Sequence, residues 1–258
     1  MKLEALKKSP PWEWPPNAGK LILQVLQDTK ATDTERTLAA EFAGDPVVVE
    51  SILVEALLEI IANPDETVRF RSGCTMALGP VLELLDMGDL DDDEELRRCA
   101  SQIPEILQPL HFDTNAPDIL RRRAIETSVR YEQDWHAKAI TGALDSGKTD
   151  WRRTAVFAMR FVPGFEKQIL EALSSEDEDT EFQAVCAAEV WQIDAAWDHV
   201  VNLACSAATE KYLRMAALEA MSSIRLTEAI RILMEMDDFE DDDLLDIVNE
   251  ILRMEPEL

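Results

Sequence analysis

The sequence predicts an all-α chain, a right-handed α-α superhelix of about five to seven helical hairpins stacked in series, and three observations predict it. Composition favours helix, because 47% of residues are hydrophobic, only 6% are aromatic and there are 8 glycines, with Ala, Leu, Glu and Arg prominent. Helical patterns of about 11 to 18 residues alternate with short breaks from Gly19 onward. One segment recurs: LRRRAIETSVRY from Leu120, WRRTAVFAMRFV from Trp151, FQAVCAAEVWQI from Phe182 and LRMAALEAMSSI from Leu213, each 31 residues after the last.

Read in order, the chain divides into a Pro/Trp-rich N-terminal strap over 1–17 and a single solenoid domain over 18–258. In the strap PPWEWPP forbids helix, and Trp12 and Trp14 are left to lie on a neighbouring surface, either covering the first helices or serving as a docking peptide. Breaks are expected near 32–34, 44–46, 63–66, 88–95, 113–117, 133–135, 147–150, 163–164, 174–179, 207–210 and 237–243. The β-branched run Val47–Val49 follows Asp45-Pro46 and reads as a helix start. In the last recurring segment Leu213, Ala216, Ala217, Ala220, Met221 and Ile224 share one helical face. Small side chains there let neighbouring helices approach closely.

A further copy, DETVRFRSGCTMALG, begins at Asp65. Its acidic Asp65, its Val68-Arg69, its small Gly73 and Cys74, and its Ala77-Leu78-Gly79 resemble the HEAT repeat of the phycobilisome-lyase subclass. The resemblance covers 46–253 and implies a HEAT-like, armadillo-like solenoid whose second helices line a concave face. It also implies a ladder between repeats, with Asp65 and Arg69, Asp118 and Arg122, Asp150 and Arg153, and Glu210 and Arg214 as carboxylate–arginine partners. The local chemistry agrees: an Arg in a first turn opposes the helix dipole, and a carboxylate one turn earlier offsets it. Two departures stand out. Gln183 occupies the place that Arg214 takes one repeat later, and the step from Val68 to Leu120 is 52 residues, an excess that coincides with the acidic stretch 86–95, read as a loop.

Net charge is -27, which opposes any reading in which the whole surface embraces nucleic acid or anionic lipid. The charge is uneven, with 10 basic and 22 acidic residues over 1–116, 10 and 7 over 117–170, and 5 and 23 over 171–258. One basic island thus lies between acidic arms, and Arg121, Arg123, Arg130, Arg152 and Arg160 in it are candidates for binding an acidic segment of a partner protein. Neutralisation by acidic residues of the same molecule is the competing account. The acidic runs at 89–95, 176–179 and 237–243 fall at helix breaks and lack the spaced ligands of a calcium loop.

No stretch is long and apolar enough for a membrane span, and MKLEALKKSPP has no apolar signal core, so a cytoplasmic location is expected. Cys74, Cys99, Cys186 and Cys205 are scattered and read as buried thiols without disulfides. His111, His136 and His199 form no metal-binding pair and none precedes a Glu, unlike the HEAT-repeat metal hydroxylases, which hold two irons with His-Glu dipeptides. Phosphate loops and nucleophile elbows are absent as well. The expectations are therefore no catalytic residues, no metal, no cofactor, no enzymatic activity, and a protein-binding scaffold with another protein as partner. Two alternatives are a phycobilin or chromophore lyase, implied by the repeat subclass, and a HEAT-repeat DNA glycosylase, which needs a cationic concave face.

Overall fold

The computed structural model describes residues 3–236 and 241–254 of the chain. These residues are helical with connecting turns and contain no strand, as the periodicity predicts. Two compact units divide the chain, 1–136 and 137–258.

The first unit begins with the short helix α1 (Leu3–Leu6) and a 3-10 turn at Pro11–Glu13. Three hairpins follow: α2 (Ala18–Gln27) with α3 (Asp33–Ala43), α4 (Ser51–Ala62) with α5 (Val68–Ala77), and α8 (Ile103–Phe112) with α9 (Asp118–Ser128). Between the second and third hairpins stand α6 (Gly79–Met87) and α7 (Glu94–Ser101). The 52-residue step is thus filled by helix, a correction to the reading of 86–95 as loop: only 88–93 lies outside the two helices. Pro80 starts α6, Gly88 ends it with a φ of 79°, and Asp93 caps α7 by accepting from the Leu96 N–H. Second helices pack side by side, α3 on α5 and α5 on α9. Ile22, Leu57, Phe70, Leu82 and Leu107 are sealed in the core, each stabilising the fold by about 1.5–3 kcal/mol relative to exposure.

In the strap region Trp14 donates to the carbonyls of Leu6 and Ser9 at 2.9 and 3.0 Å, and its ring meets Phe42 edge-on. Trp12 is 76% exposed.

The second unit contains α10 (His136–Asp145, beginning at the boundary), α11 (Thr149–Ala158), α12 (Glu166–Ala172), α13 (Glu178–Val190), α14 (Trp197–Cys205), α15 (Lys211–Met234) and α16 (Asp242–Ile251). Here α12 pairs with α13 and α14 with α15, while α11, α13 and α15 pack side by side. The four 31-residue copies therefore begin second helices α9, α11, α13 and α15. Leu213, Ala216, Ala217, Ala220 and Met221 are all buried on the predicted face of α15. Arg225 interrupts α15 with φ −146° and ψ 77°. Periodicity runs through that interruption, the α7/α8 junction at Gln102 and the turn at 191–196, whereas Gly79-Pro80 marks the α5/α6 junction at Leu78. Of the acidic run 237–243, residues 237–240 lie outside the described residues, and Asp241 caps α16 by accepting from Asp243 and Leu244. Cys74, Cys99 and Cys186 are buried free thiols; Cys205 is exposed, correcting its assignment to the core, because it ends α14 where the chain turns outward.

An interaction absent from the sequence reading closes the hairpins. Arg36, Arg71, Arg121 and Arg214 each donate Nε to a carbonyl ten residues back: Leu26 at 3.0 Å, Ile61 at 2.9 Å, His111 at 2.9 Å and Ala204 at 2.8 Å. Each acceptor lies in the last turn of the preceding helix, where carbonyls lack intrahelical donors and the dipole is negative. Arg36 and Arg214 are only 7% exposed, so these charge-assisted bonds replace water. Arg36 also grips Glu66 with two bonds of 2.8 and 2.7 Å and lies 4.2 Å from the Phe70 ring centroid. Replacing Arg36 with Met leaves Glu66 and the Leu26 carbonyl without their donor. Urea unfolding should show a loss of about 2–4 kcal/mol, with part of it recovered in Arg36→Met/Glu66→Gln; a loss below about 1 kcal/mol would show that the closure matters little.

Candidate functional site

The second helices carry the polar chemistry. Their basic side chains pair with carboxylates of neighbouring repeats, some of the following one and some of the preceding one. Arg36 meets Glu66; Arg153 meets Asp177 through two nitrogens and Asp179 at 3.1 Å; Lys211 meets Asp241 and Asp243; and Arg225 binds Asp194 at 2.7 and 2.9 Å. The hydroxyl of Thr67 donates to Asp33 at 2.7 Å and that of Tyr212 to Glu178 at 3.5 Å, links of the same kind. Asp177 also caps α13 by accepting from Thr180, and the Arg153 bond holds its carboxyl well below the ordinary range.

Of the residues assigned to a ladder, Asp65 and Arg69 are both exposed, and Asp65 uses its own N–H on Asn63. Asp118 faces Arg121 at 3.5 Å, with Arg122 half-buried on the same helix. Asp150 stands exposed in the first turn of α11, Glu210 occupies the N-cap position of α15 with no side-chain cap bond among the described residues, and Arg214 turns inward to the Ala204 carbonyl.

The five arginines of the basic island separate into two groups. Arg121 is engaged with His111 and Asp118; Arg123 pairs with Glu126; Arg130 binds Glu83 at 2.6 Å and the Glu126 carbonyl. In the second unit Arg152 is exposed and has no ion-pair or hydrogen-bond partner among the described residues for its side chain. Arg160 has its Nε buried without an acceptor among the described residues, and its guanidinium carbon sits 6.0 and 5.9 Å from the Phe157 and Phe161 ring centroids. Close to it, burial and the neighbouring Glu219 push the Glu189 carboxyl up, and Arg160 opposes them. The Gln183 Oε1 is likewise buried with no donor among the described residues.

The first unit holds a groove of about 430 Å³ between α3 and α5 that sequence reasoning missed. Gly44 makes it possible, because a Cβ there would lie 1.8 Å from the Ala77 carbonyl oxygen; a Gly inside the helical pattern at Gly73 was the signal that could have found it.

Each histidine is committed within its unit. The ring of His111 contacts the Arg121 carbonyl through Nδ1 at 3.2 Å and stacks on Trp135. His136 Nδ1 accepts from the Gln133 N–H at 3.0 Å while Nε2 donates to Ser128 at 3.0 Å, and His199 meets Glu181 at 2.9 Å. Among the described residues no group of three His, Cys, Asp or Glu side chains is placed to hold a metal ion, and no helix is long and apolar enough to cross a membrane.

No family model matches the sequence, and no curated protein matches it. Solved structures do. The complex of CpcE and CpcF of phycocyanin lyase from Nostoc sp. PCC7120 aligns at 18% identity with a TM-score of 0.48, over 95% of this chain and 97% of that one. Human deoxyhypusine hydroxylase in complex with glycerol aligns at 15% identity with a TM-score of 0.41, over 97% and 87%. The expectation of no enzymatic activity is withdrawn on chemical grounds. Missing motifs exclude only chemistry tied to contiguous signatures, whereas a site assembled from several helices leaves none in the sequence.

Burial pushes the His136 pKa down to about 4, and His111 acts in the same direction. The unfolded chain titrates this group near 6.5, so between those values the unfolded state binds the extra proton. Stability contributed by neutral His136 is full above about pH 6.5 and falls as pH drops toward about 4. Relief of the overall negative charge acts alike on wild type and variant. The wild type should therefore lose about 2–3 kcal/mol more than His136→Gln between about pH 7 and about pH 4, measured by denaturant unfolding; parallel profiles would contradict this assignment.

Proposed function

We propose that this chain is a protein-binding helical-repeat scaffold that receives an acidic partner segment along α11 in its second unit. The observation that carries the reading is Arg160, whose buried Nε has no acceptor among the described residues. An unmatched buried donor costs about 1–3 kcal/mol, and a swing of the guanidinium outward to a partner oxygen removes that cost. Arg152 supports it, since its guanidinium is exposed and unpaired among the described residues while those of Arg121, Arg123 and Arg130 are engaged internally.

The two candidates lie eight residues apart on α11 and the turn after it, roughly 12 Å at helical rise. An extended peptide covers that distance in about four residues, so two carboxylates at such spacing fit the pair.

A photo-crosslinking residue placed at Lys148, one turn before Arg152, should capture a partner that the same residue at Lys20 does not. The Arg152→Glu/Arg160→Glu chain should lose that partner while keeping its helical circular dichroism, and rising salt should weaken capture by the wild type. Undiminished capture by the charge-reversed chain would remove the acidic-segment reading.

A further inference from the structure

The groove between α3 and α5 has features that the acidic-segment reading does not use. Its walls include Met76 and Pro80, its rim carries Glu41 and Asp45, and no Lys or Arg lines it. Two backbone features keep it open. Gly44 permits the chain leaving α3 to lie against the Ala77 carbonyl, and at Gly73 a Cβ would come within 3.1 Å of the Thr37 methyl, so no side chain occupies the space between the helices. Met76 and Thr37 remain partly exposed along the opening. Glu41 is exposed and has no hydrogen-bond or ion-pair partner among the described residues, whereas Asp45 accepts the Val47 N–H through one oxygen at 2.9 Å.

A slot with apolar walls and a carboxylate rim is complementary to one kind of side chain, a long aliphatic stem with a positive head. We infer that this groove receives a lysine or arginine side chain from a basic segment of a partner protein. The stem lies along Met76 and Pro80, displacing water from apolar surface, and the cation comes to rest at Glu41 and Asp45. Local charge favours the encounter, because residues 1–116 carry 22 acidic against 10 basic side chains. An acidic segment would be repelled at the same rim, and a purely apolar one would leave Glu41 beside an unmatched surface. The inference rests on the protein-binding reading but concerns the other unit of the chain, and its test uses no partner.

The full chain, labelled with ¹³C at its methionine methyl groups, is titrated with N-acetyl-arginine methylamide, and in parallel with the lysine, norleucine and glutamate analogues. The Met76 signal, assigned by its loss in Met76→Leu, should move saturably with the arginine and lysine probes at millimolar concentration. Norleucine should bind more weakly, and the glutamate analogue should leave the signal unmoved. Glu41→Gln, which alters only an exposed side chain, should weaken the arginine probe about two- to fivefold, the range of an exposed ion pair. Equal binding of norleucine with no effect of Glu41→Gln would replace the inference with an apolar slot, and an unmoved Met76 signal at tens of millimolar arginine probe would overturn it outright. Either failure would leave the crosslinking result at Lys148 unaffected, so the two sites are judged separately.

Discussion

A helix that ends against protein rather than water leaves carbonyl oxygens in need of donors. In this chain the donor is a guanidinium from the helix that follows, with Arg36, Arg71, Arg121 and Arg214 each reaching the last turn of the helix before. Much else depends on that reach. It sets how far the second helix can rotate about its own axis, and so which residues it turns toward its neighbours. With α3 held in this way, Arg36 is in position for Glu66 of the next hairpin, and Phe70 packs beneath the same guanidinium. Where the residue is Gln183 or the exposed Arg152 no such bond to a carbonyl ten residues back is made among the described residues, and the Gln183 Oε1 is left buried without a donor there.

Much of the fold was legible because its signals are local. The break expected near 32–34 falls where Thr32 caps α3, Gly88 closes α6 in a left-handed conformation, and the small residues from Leu213 onward are buried in the predicted register. The ionic pairing was less legible for a geometric reason. A carboxylate three or four residues before an Arg is near it along the chain, but a carboxylate one repeat onward is near it in space, and Arg153 with Asp177 shows the second arrangement winning. The helical character of 86–87 and 94–95 was masked by the acidic residues of that stretch, which cap and begin α7 as well as filling a turn. The candidate sites were the least legible part. That Arg160 Nε lacks an acceptor and Glu41 a cation among the described residues follows from the positions of many side chains at once, which no spacing rule encodes.

The charge balance takes on a different meaning once the pairs are assigned. Net charge is -27 with 16 arginines present, yet most of the basic side chains along the second helices are engaged in closing hairpins or joining them. Acidic residues exceed what these contacts require, and the surplus keeps the surface hydrated and repels other acidic macromolecules. Against that background an unengaged Arg152 in one unit and an apolar groove with an acidic rim in the other are local exceptions of opposite sign, each suited to a different kind of side chain.

The ten-residue separation between each closing arginine and its carbonyl has a kinetic side. A contact formed so near along the chain costs little loop entropy, and topologies dominated by short-range contacts reach the native state quickly. A hairpin of this design can lock as soon as its second helix has been synthesised, before the following repeat exists. The growing polypeptide would then leave the ribosome as a series of finished units, with at most one unfinished apolar face open to misassembly at any time.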